Sequence, residues 1–234
     1  MWIVVPVKRF SSAKSRLATV LTEAERESLA QAMLNDVLRA IAEARLVSGI
    51  VVVSHEVRAR YTAERAGGLF LEEALDSGLS AAIAQAGHWL TEHGQRGLLM
   101  LPGDVPLVSS DEIDEIIAGH HGGPAITLVP DREHDGTNAL AITPADAIPY
   151  SFGRGSFAIH RQAAEGAGIT PSVLHLSGLA LDIDNPIDLH TLLAHDSETE
   201  TLAYLSDSGV ARRLMARHNG GLDNCGIAAA SRLI

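Results

Sequence analysis

The sequence predicts an α/β protein, a single domain built on one mostly parallel sheet flanked by helices. Apolar runs rich in β-branched residues, such as Ile3-Val4-Val5 and Ile50-Val51-Val52-Val53, alternate from end to end with stretches of helical period. That is the pattern of repeated βα units. The composition is even along 234 residues, a length that buries a sizeable core within one domain. No internal repeat or low-complexity segment interrupts it.

Trp2-Ile3-Val4-Val5-Pro6-Val7 reads as the first strand and breaks at once into Lys8-Arg9-Phe10-Ser11-Ser12-Ala13-Lys14-Ser15-Arg16. Thr22 and Glu25 are spaced as a capping box, and Leu29, Met33, Val37 and Ile41 then recur on one helical face up to about Arg45. A strand follows at Ile50 to Ser54, then a short helix near Val57 to Ala66 and a brief strand at Leu69 to Leu71. Asp76-Ser77-Gly78-Leu79-Ser80 precedes a helix over Ala82 to Leu90. Gly97 to Leu101 is the next strand, ending in Pro102-Gly103-Asp104-Val105-Pro106 and followed by a helix from about Ser110 to Ala118 and a strand from Ala125 to Val129. The piece from Asp131 to Phe157 is rich in Gly, Pro and Asp and holds one short strand, Ala139 to Ile142; long loops of this kind are often functional. A helix from Ser156 to about Ala167, strands at Ser172 to Leu176 and Leu179 to Asp184, and a helix opened by Asn185-Pro186 complete the expected domain, residues 1–195. Residues 196–234 are expected to form a C-terminal extension of unassigned role, with one helix at Val210 to His218 and a tail from Gly220.

The formal net charge of -11 excludes generic binding to nucleic acid or anionic membrane, which needs a positive field over the whole surface. Cations must therefore act locally, and Lys8, Arg9, Lys14 and Arg16 are clustered directly after a buried strand. Such a loop offers backbone N–H groups and fixed positive charge at the carboxyl end of a parallel strand, where ligands of open α/β sheets bind. A solvated turn has the same composition. Neither G-x-x-x-x-G-K-[ST] nor G-x-G-x-x-G is present, so the Walker and dinucleotide fingerprints are excluded. A single cysteine, Cys225, excludes an internal disulfide framework and a multi-cysteine metal site, and points to a reducing compartment. No secretory leader and no run of about 18 apolar residues is seen, so a soluble cytoplasmic protein is expected.

Asp104 follows Leu98-Leu99-Met100-Leu101 and so falls at the carboxyl edge of a buried strand. A carboxylate there is a natural magnesium ligand, since a hard cation takes one or two carboxylates plus phosphates. The same residue could simply cap the Gly103-Asp104-Val105-Pro106 turn. In Leu181-Asp182-Ile183-Asp184 the period of two puts Asp182 and Asp184 on one face, where they repel unless a cation stands between them. They could also favour the dipole of the helix opening at Asn185-Pro186. Gly136-Thr137-Asn138 and Phe152-Gly153-Arg154-Gly155-Ser156 each pair glycine with a hydroxyl residue, and Ser156 opens a helix whose amino end can receive an anion. Three other features suggest less. His120-His121 is expected to be an exposed pair or a contact with a helix dipole, His55 a surface residue, and Cys225 unreactive. No convincing Ser/His/Asp or Cys/His set is present.

Six ordered motifs, V-P-V-K-R-x3-A-K-S-R-L, G-L-S-A-A-I, L-P-G-D-V-P-L, D-G-T-N-A-L, F-G-R-G-S-F and L-D-I-D-N-P-I-D-L, closely resemble those of a guanylyltransferase family. Its members activate 2-phospho-L-lactate, phosphoenolpyruvate or 3-phospho-D-glycerate in biosynthesis of the deazaflavin coenzyme F-420. The resemblance covers about Ile3 to Leu193 and implies a nucleotidyltransferase fold of the glycosyltransferase-A-like kind. It implies that Lys8, Lys14 and Arg16 meet the GTP triphosphate, with Gly78, Leu79 and Ser80 against the guanosine. Asp104 and Asp184 then hold magnesium, with Asp182 as a further candidate ligand, and Lys14, Asp104 and Asp184 are the catalytic set. Thr137, Gly153 and Ser156 bind the phosphorylated acid, while Arg154 and Gly155 stand at variable positions to which no role transfers. The expected partners are GTP, the acid and at most a second copy of the chain as a homodimer. Two other readings remain: a related transferase acting on a sugar phosphate or molybdopterin, and a non-catalytic GTP-binding regulator.

Overall fold

The first strand read from the sequence is the middle of the sheet. β1 (Trp2–Val7) is buried over its four central residues and pairs in parallel with β2 (Gly49–Ser54) on one side and β4 (Leu98–Met100) on the other. This is a computed structural model describing residues 1–73 and 78–223; Asp76, Ser77 and Cys225 lie outside the described residues. β3 (Leu69–Glu72) adds in parallel to β2. Beyond β4, β6 (Thr137–Thr143) runs antiparallel to both β4 and β5 (Ala125–Pro130), and β7 (Ser172–Val173) pairs in parallel with β5. The result is one seven-stranded sheet of order β3-β2-β1-β4-β6-β5-β7, the mostly parallel architecture the sequence predicts.

β1 shows how the sheet is covered on both faces. Successive side chains point to opposite sides, so Ile3 and Val5 enter one core while Val4 enters the other. The first core takes α1 (Glu23–Glu43), α2 (Val57–Arg65) and α4 (Ser110–Gly119); the second takes α3 (Leu79–Glu92) and α5 (Ser156–Gly166). The Thr22/Glu25 capping box is present at the start of α1. β5 and β6 form a hairpin closed by Asp131, whose carboxylate accepts from the N–H groups of Asp135 at 2.9 Å and Gly136 at 2.7 Å.

Four expectations need correction. The strand over Ser172 to Leu176 shrinks to the two residues of β7, a short edge strand that offers little unpaired backbone. Leu179 to Asp184 is not a strand: α6 (Ser177–Ala180) is a helical turn, followed by extended chain through Asp184. Alternation does hold in burial, with Leu179, Leu181 and Ile183 inside and Asp182 and Asp184 half-buried, but no ladder forms along this segment. α7 (Pro186–Leu193) follows, and then α8 (Glu200–Asp207), which the sequence reading did not contain, and α9 (Val210–Asp223). α8 docks on α1 through buried Asp36, which accepts from Glu200 N at 2.7 Å, Thr201 N at 2.9 Å and Thr201 Oγ1 at 2.6 Å. Finally, His120 is half-buried rather than exposed and bridges the hydroxyls of Thr127 and Thr143, each at 3.0 Å. Burial holds its pKa below the usual imidazole value.

Candidate active site

The basic loop is shaped by two buried anchors. Phe10 and Leu17 are inserted in the core beside α1, and Glu56 receives Phe10 N–H at 3.1 Å. Between the anchors the chain forms two 3₁₀ turns, Phe10–Ser12 and Ser15–Thr19. Lys14 joins them in the left-handed region, at φ 55° and ψ 38°. For a residue with a Cβ that conformation costs about 1–2 kcal/mol. What it achieves is inward aim. The Lys14 side chain is 7% exposed, and its Nζ donates to Asp104 Oδ2 at 2.5 Å and Asp184 Oδ1 at 2.9 Å.

The two carboxylates are brought together by backbone. Leu101 N–H donates to Val4 O at 3.0 Å, prolonging the β1 to β4 pairing up to the Asp104 turn. Ile183 N–H then donates to Asp104 O at 3.1 Å, which sets Asp184 beside Asp104. Asp184 is held from the other side by the start of α7, where Asp188 Oδ2 accepts from Asp184 N at 2.9 Å and Asn185 N at 2.8 Å. Asn185 itself caps α7 in a full capping box. The L-D-I-D-N-P-I-D-L motif is thus a capped helix start that presents a carboxylate.

Electrostatics follow from these contacts. Burial alone would lower the Lys14 ammonium, but the charges of Asp104 and Asp184 together outweigh it and hold its pKa above the ordinary lysine value. Burial pushes Asp184 up, and Lys14, Arg16 and Lys8 prevail to leave it below the usual carboxylate range. Arg16 Nη1 stands 3.5 Å from Asp184 Oδ2. At Asp182 the balance goes the other way: burial, with the Asp104 charge adding to it, raises its pKa to about 6, against a hydrogen bond from Asn138 Nδ2 at 3.1 Å. Among the described residues, no group of three or more His, Cys, Asp or Glu side chains converges as a ready cage for a metal ion. Asp104 and Asp184 nevertheless share one ammonium on an open cleft, and two hard oxygen donors so placed suit a cation that completes its shell with phosphate and water.

Two clefts open at this point. One, of about 330 Å³, lies under the basic loop and is lined also by Gly78, Leu79, His55 and Glu73. The other, of about 640 Å³, is lined by Thr137, Gly153, Arg154 and Ser156 together with Asp182 and Arg132. They share one wall, made of Lys8, Arg16, Leu79, Pro102, Asp104 and Asp184. In the second cleft Gly153 adopts φ 123°, a conformation closed to L side chains, and Gly155 precedes α5 at φ 72°. Ser156 Oγ accepts Thr137 N–H at 2.9 Å, which joins α5 to β6.

Of the residues to which the sequence assigned a site role, all but Ser80 line one or both of these clefts. Ser80 lines neither: its Oγ accepts from Phe152 N–H at 3.0 Å and ties the start of α3 to the F-G-R-G-S loop. His55 is not a surface residue, since its side chain is 17% exposed and faces Glu73 in the first cleft. Sequence reasoning missed Glu73, for which no local signal exists. It also missed Asn138, which sits inside a quoted motif, and His160, whose spacing of four from Ser156 puts both on one face of α5.

A family model described as "Guanylyl transferase CofC like" matches residues 1–218. A phosphoenolpyruvate guanylyltransferase of Sphaerobacter thermophilus is 40% identical over 197 residues, covering 82% of this chain and 92% of that protein. A 2-phospho-L-lactate guanylyltransferase of Methanothermobacter thermautotrophicus is 32% identical over 202 residues, covering 86% of this chain and 88% of that one. Among solved structures, a protein described as a nucleotide-diphospho-sugar transferase from Desulfovibrio desulfuricans G20 has a TM-score of 0.72 at 16% identity, over 91% of this chain and 97% of that chain. That last likeness shows a shared nucleotidyltransferase fold.

Proposed function

We propose, because the chain belongs to the CofC-like guanylyl transferase family, that it transfers the guanylyl group of GTP to a small phosphorylated acid with release of pyrophosphate, in coenzyme F-420 biosynthesis. The observation that carries this reading is the wall common to the two clefts. A transfer between two anions needs both held at once with the reacting phosphorus between them, and the shared wall has cations and carboxylates where that phosphorus would lie. The first cleft takes GTP, with Lys8, Lys14 and Arg16 on the triphosphate and Gly78 and Leu79 along the nucleoside. The second takes the acid at Thr137, Gly153 and Ser156. Ser80 acts on the acid loop through Phe152.

A phosphate oxygen of the acid attacks the α-phosphorus of GTP; the new O–P bond forms as the bond to the β-phosphate oxygen breaks, and pyrophosphate leaves with the electron pair. The nucleophile is already ionised at neutral pH, so no general base is needed. Lys14 remains charged throughout the working range, because its pKa lies above the ordinary lysine value. The chain then contributes alignment and charge neutralisation, the usual means of phosphoryl-type transfer. Asp104 and Asp184, with Asp182 beside them, would hold magnesium, which supplies further neutralisation of the triphosphate when bound.

The relatives' names do not favour a sugar phosphate or molybdopterin acceptor, or a silent GTP binder. The acidic balance argues against nucleic acid as a partner, and the single cysteine supports a cytoplasmic setting. No helix among the described residues is long and apolar enough to cross a membrane. A homodimer and a division into catalytic residues 1–195 and an extension at 196–234 belong to the same proposal. Steady-state kinetics test the division of the site. Lys14→Ala should chiefly raise KM for GTP and Ser156→Ala chiefly raise KM for the acid; the reverse pattern would overturn it.

A further inference from the structure

The second cleft is backed by a buried imidazole that the reaction as described does not use. His160 lies on α5, is 0% exposed, and has different partners on its two ring nitrogens. Ser151 N–H donates to Nε2 at 3.0 Å, and Nδ1 stands 3.0 Å from Thr137 Oγ1. A backbone N–H can only donate, so Nε2 is the bare nitrogen, and a neutral ring then carries its proton on Nδ1. Burial keeps the ring neutral, holding its pKa down to about 4. The Nδ1–H group therefore donates to the Thr137 hydroxyl, and the reverse sense is excluded. Phe152 packs edge-on to the ring at 4.8 Å between centroids and limits its rotation.

This direction decides what the neighbouring hydroxyls can offer. Thr137 Oγ1 receives the His160 N–H, and Ser156 Oγ receives Thr137 N–H. Each oxygen thus has an N–H on its acceptor side, and the link from Ser156 Oγ to Thr137 Oγ1 is long, at 3.4 Å. Thr137 Oγ1 thus accepts from His160 and, weakly, from Ser156, so the Thr137 hydroxyl proton is claimed by neither neighbour and is left for a ligand in the cleft. An anion rich in oxygen acceptors and with no proton to give, a phosphate or a carboxylate, is the ligand that suits it. In the other tautomer Thr137 would spend its proton on the ring and turn lone pairs toward the anion.

We infer that His160 is a positioning residue of the acid site: with its tautomer set by Ser151 N–H, it fixes the Thr137 hydroxyl as a donor toward the phosphorylated acid. The inference rests on the reading of Thr137, Gly153 and Ser156 as the acid site. It also links the loop preceding α5 to β6 through one ring, so acid-loop geometry and donor direction are set together.

Kinetics of the full chain with GTP and phosphoenolpyruvate test it. His160→Gln keeps an acceptor for Ser151 N–H but withdraws the donor from Thr137, whereas His160→Asn places an amide donor near the Nδ1 position. His160→Gln should raise KM for phosphoenolpyruvate by roughly tenfold or more with KM for GTP changed less than about twofold, and His160→Asn should stay within about threefold of the parent. In a Thr137→Val background, His160→Gln should add less than about twofold, since its effect runs through the missing hydroxyl. A purely structural role would move both KM values or both variants alike, and would add to Thr137→Val; either result overturns the inference. Should His160→Gln fail to fold, an unchanged phosphoenolpyruvate KM in Thr137→Val overturns it just as well. Ser156→Ala separates the two levels: if it raises KM for the acid while His160→Gln does not, this inference falls alone, and if it leaves that KM unchanged the acid-site reading falls with it.

Discussion

Lys14 shows how a single residue ties loop geometry to charge. Its left-handed backbone turns the ammonium inward onto Asp104 and Asp184, and the strain is tolerated because Phe10 and Leu17 fix the loop on either side. Asp104 is half-buried at a strand end and fills no core space, so Asp104→Asn should lower turnover by about 10²-fold or more while shifting the thermal midpoint by less than about 4 °C. Turnover near the parent's would misplace the charged centre of the site. His160 gives a second prediction. Its folded pKa, about 4, lies below the ordinary 6.5, so the unfolded chain takes up a proton first as the pH falls. The contribution of the neutral ring is whole above about 6.5 and is lost between there and about 4, on the order of 3 kcal/mol in total. Urea unfolding of the parent and of His160→Asn at pH 7 and 4.5 isolates it, because carboxylate titrations are common to both. The parent's advantage should shrink by about 2 kcal/mol at the lower pH. A constant difference would mean the ring is not buried in its neutral form. Residue identities at this scale were legible where a strand end exposes them, as at Lys8 and Asp104, or where burial alternates, as at Asp184. The left-handed turn at Lys14 was not, since no glycine marks it, and Glu73 reaches the first cleft only through the pairing of β3 with β2.

Elements were legible in proportion to the locality of what forms them. Caps gave α1 and α7 with nearly their observed starts, because Thr22 and Asn185 act within a single turn. The antiparallel direction of β6 was not legible: the strand is buried almost throughout, and such a run reads alike in either direction. Leu179 to Asp184 kept its alternation without its ladder, since burial depends on side chains while pairing needs a free neighbouring edge. α8 is eight residues long, too short for a periodic signal, and its docking depends on Asp36 in distant sequence. Asp36→Ala leaves two backbone N–H groups and the Thr201 hydroxyl without their acceptor. It should destabilise the protein by about 2–4 kcal/mol in denaturant unfolding, with KM for GTP changed less than about twofold. A shifted KM at unchanged stability would place α8 in the site rather than outside it.

The molecule as a whole is one sheet covered on both faces, with the two clefts opening at the end where β1 and β4 stop. The parallel half, β3-β2-β1-β4, delivers the basic loop, Glu73 and Asp104 to the first cleft. The β5–β6 hairpin and α5 build the second cleft, and the segment before α7 brings Asp184 to the wall between. A single fold thus places two clefts side by side, and Lys8 and Arg16 of the basic loop stand on their common wall. The direct test is to incubate the purified full chain with GTP and magnesium and to measure pyrophosphate with and without phosphoenolpyruvate, 2-phospho-L-lactate or 3-phospho-D-glycerate. Stoichiometric pyrophosphate release that depends on one of these acids is the predicted result, and no release with any of the three would contradict the account.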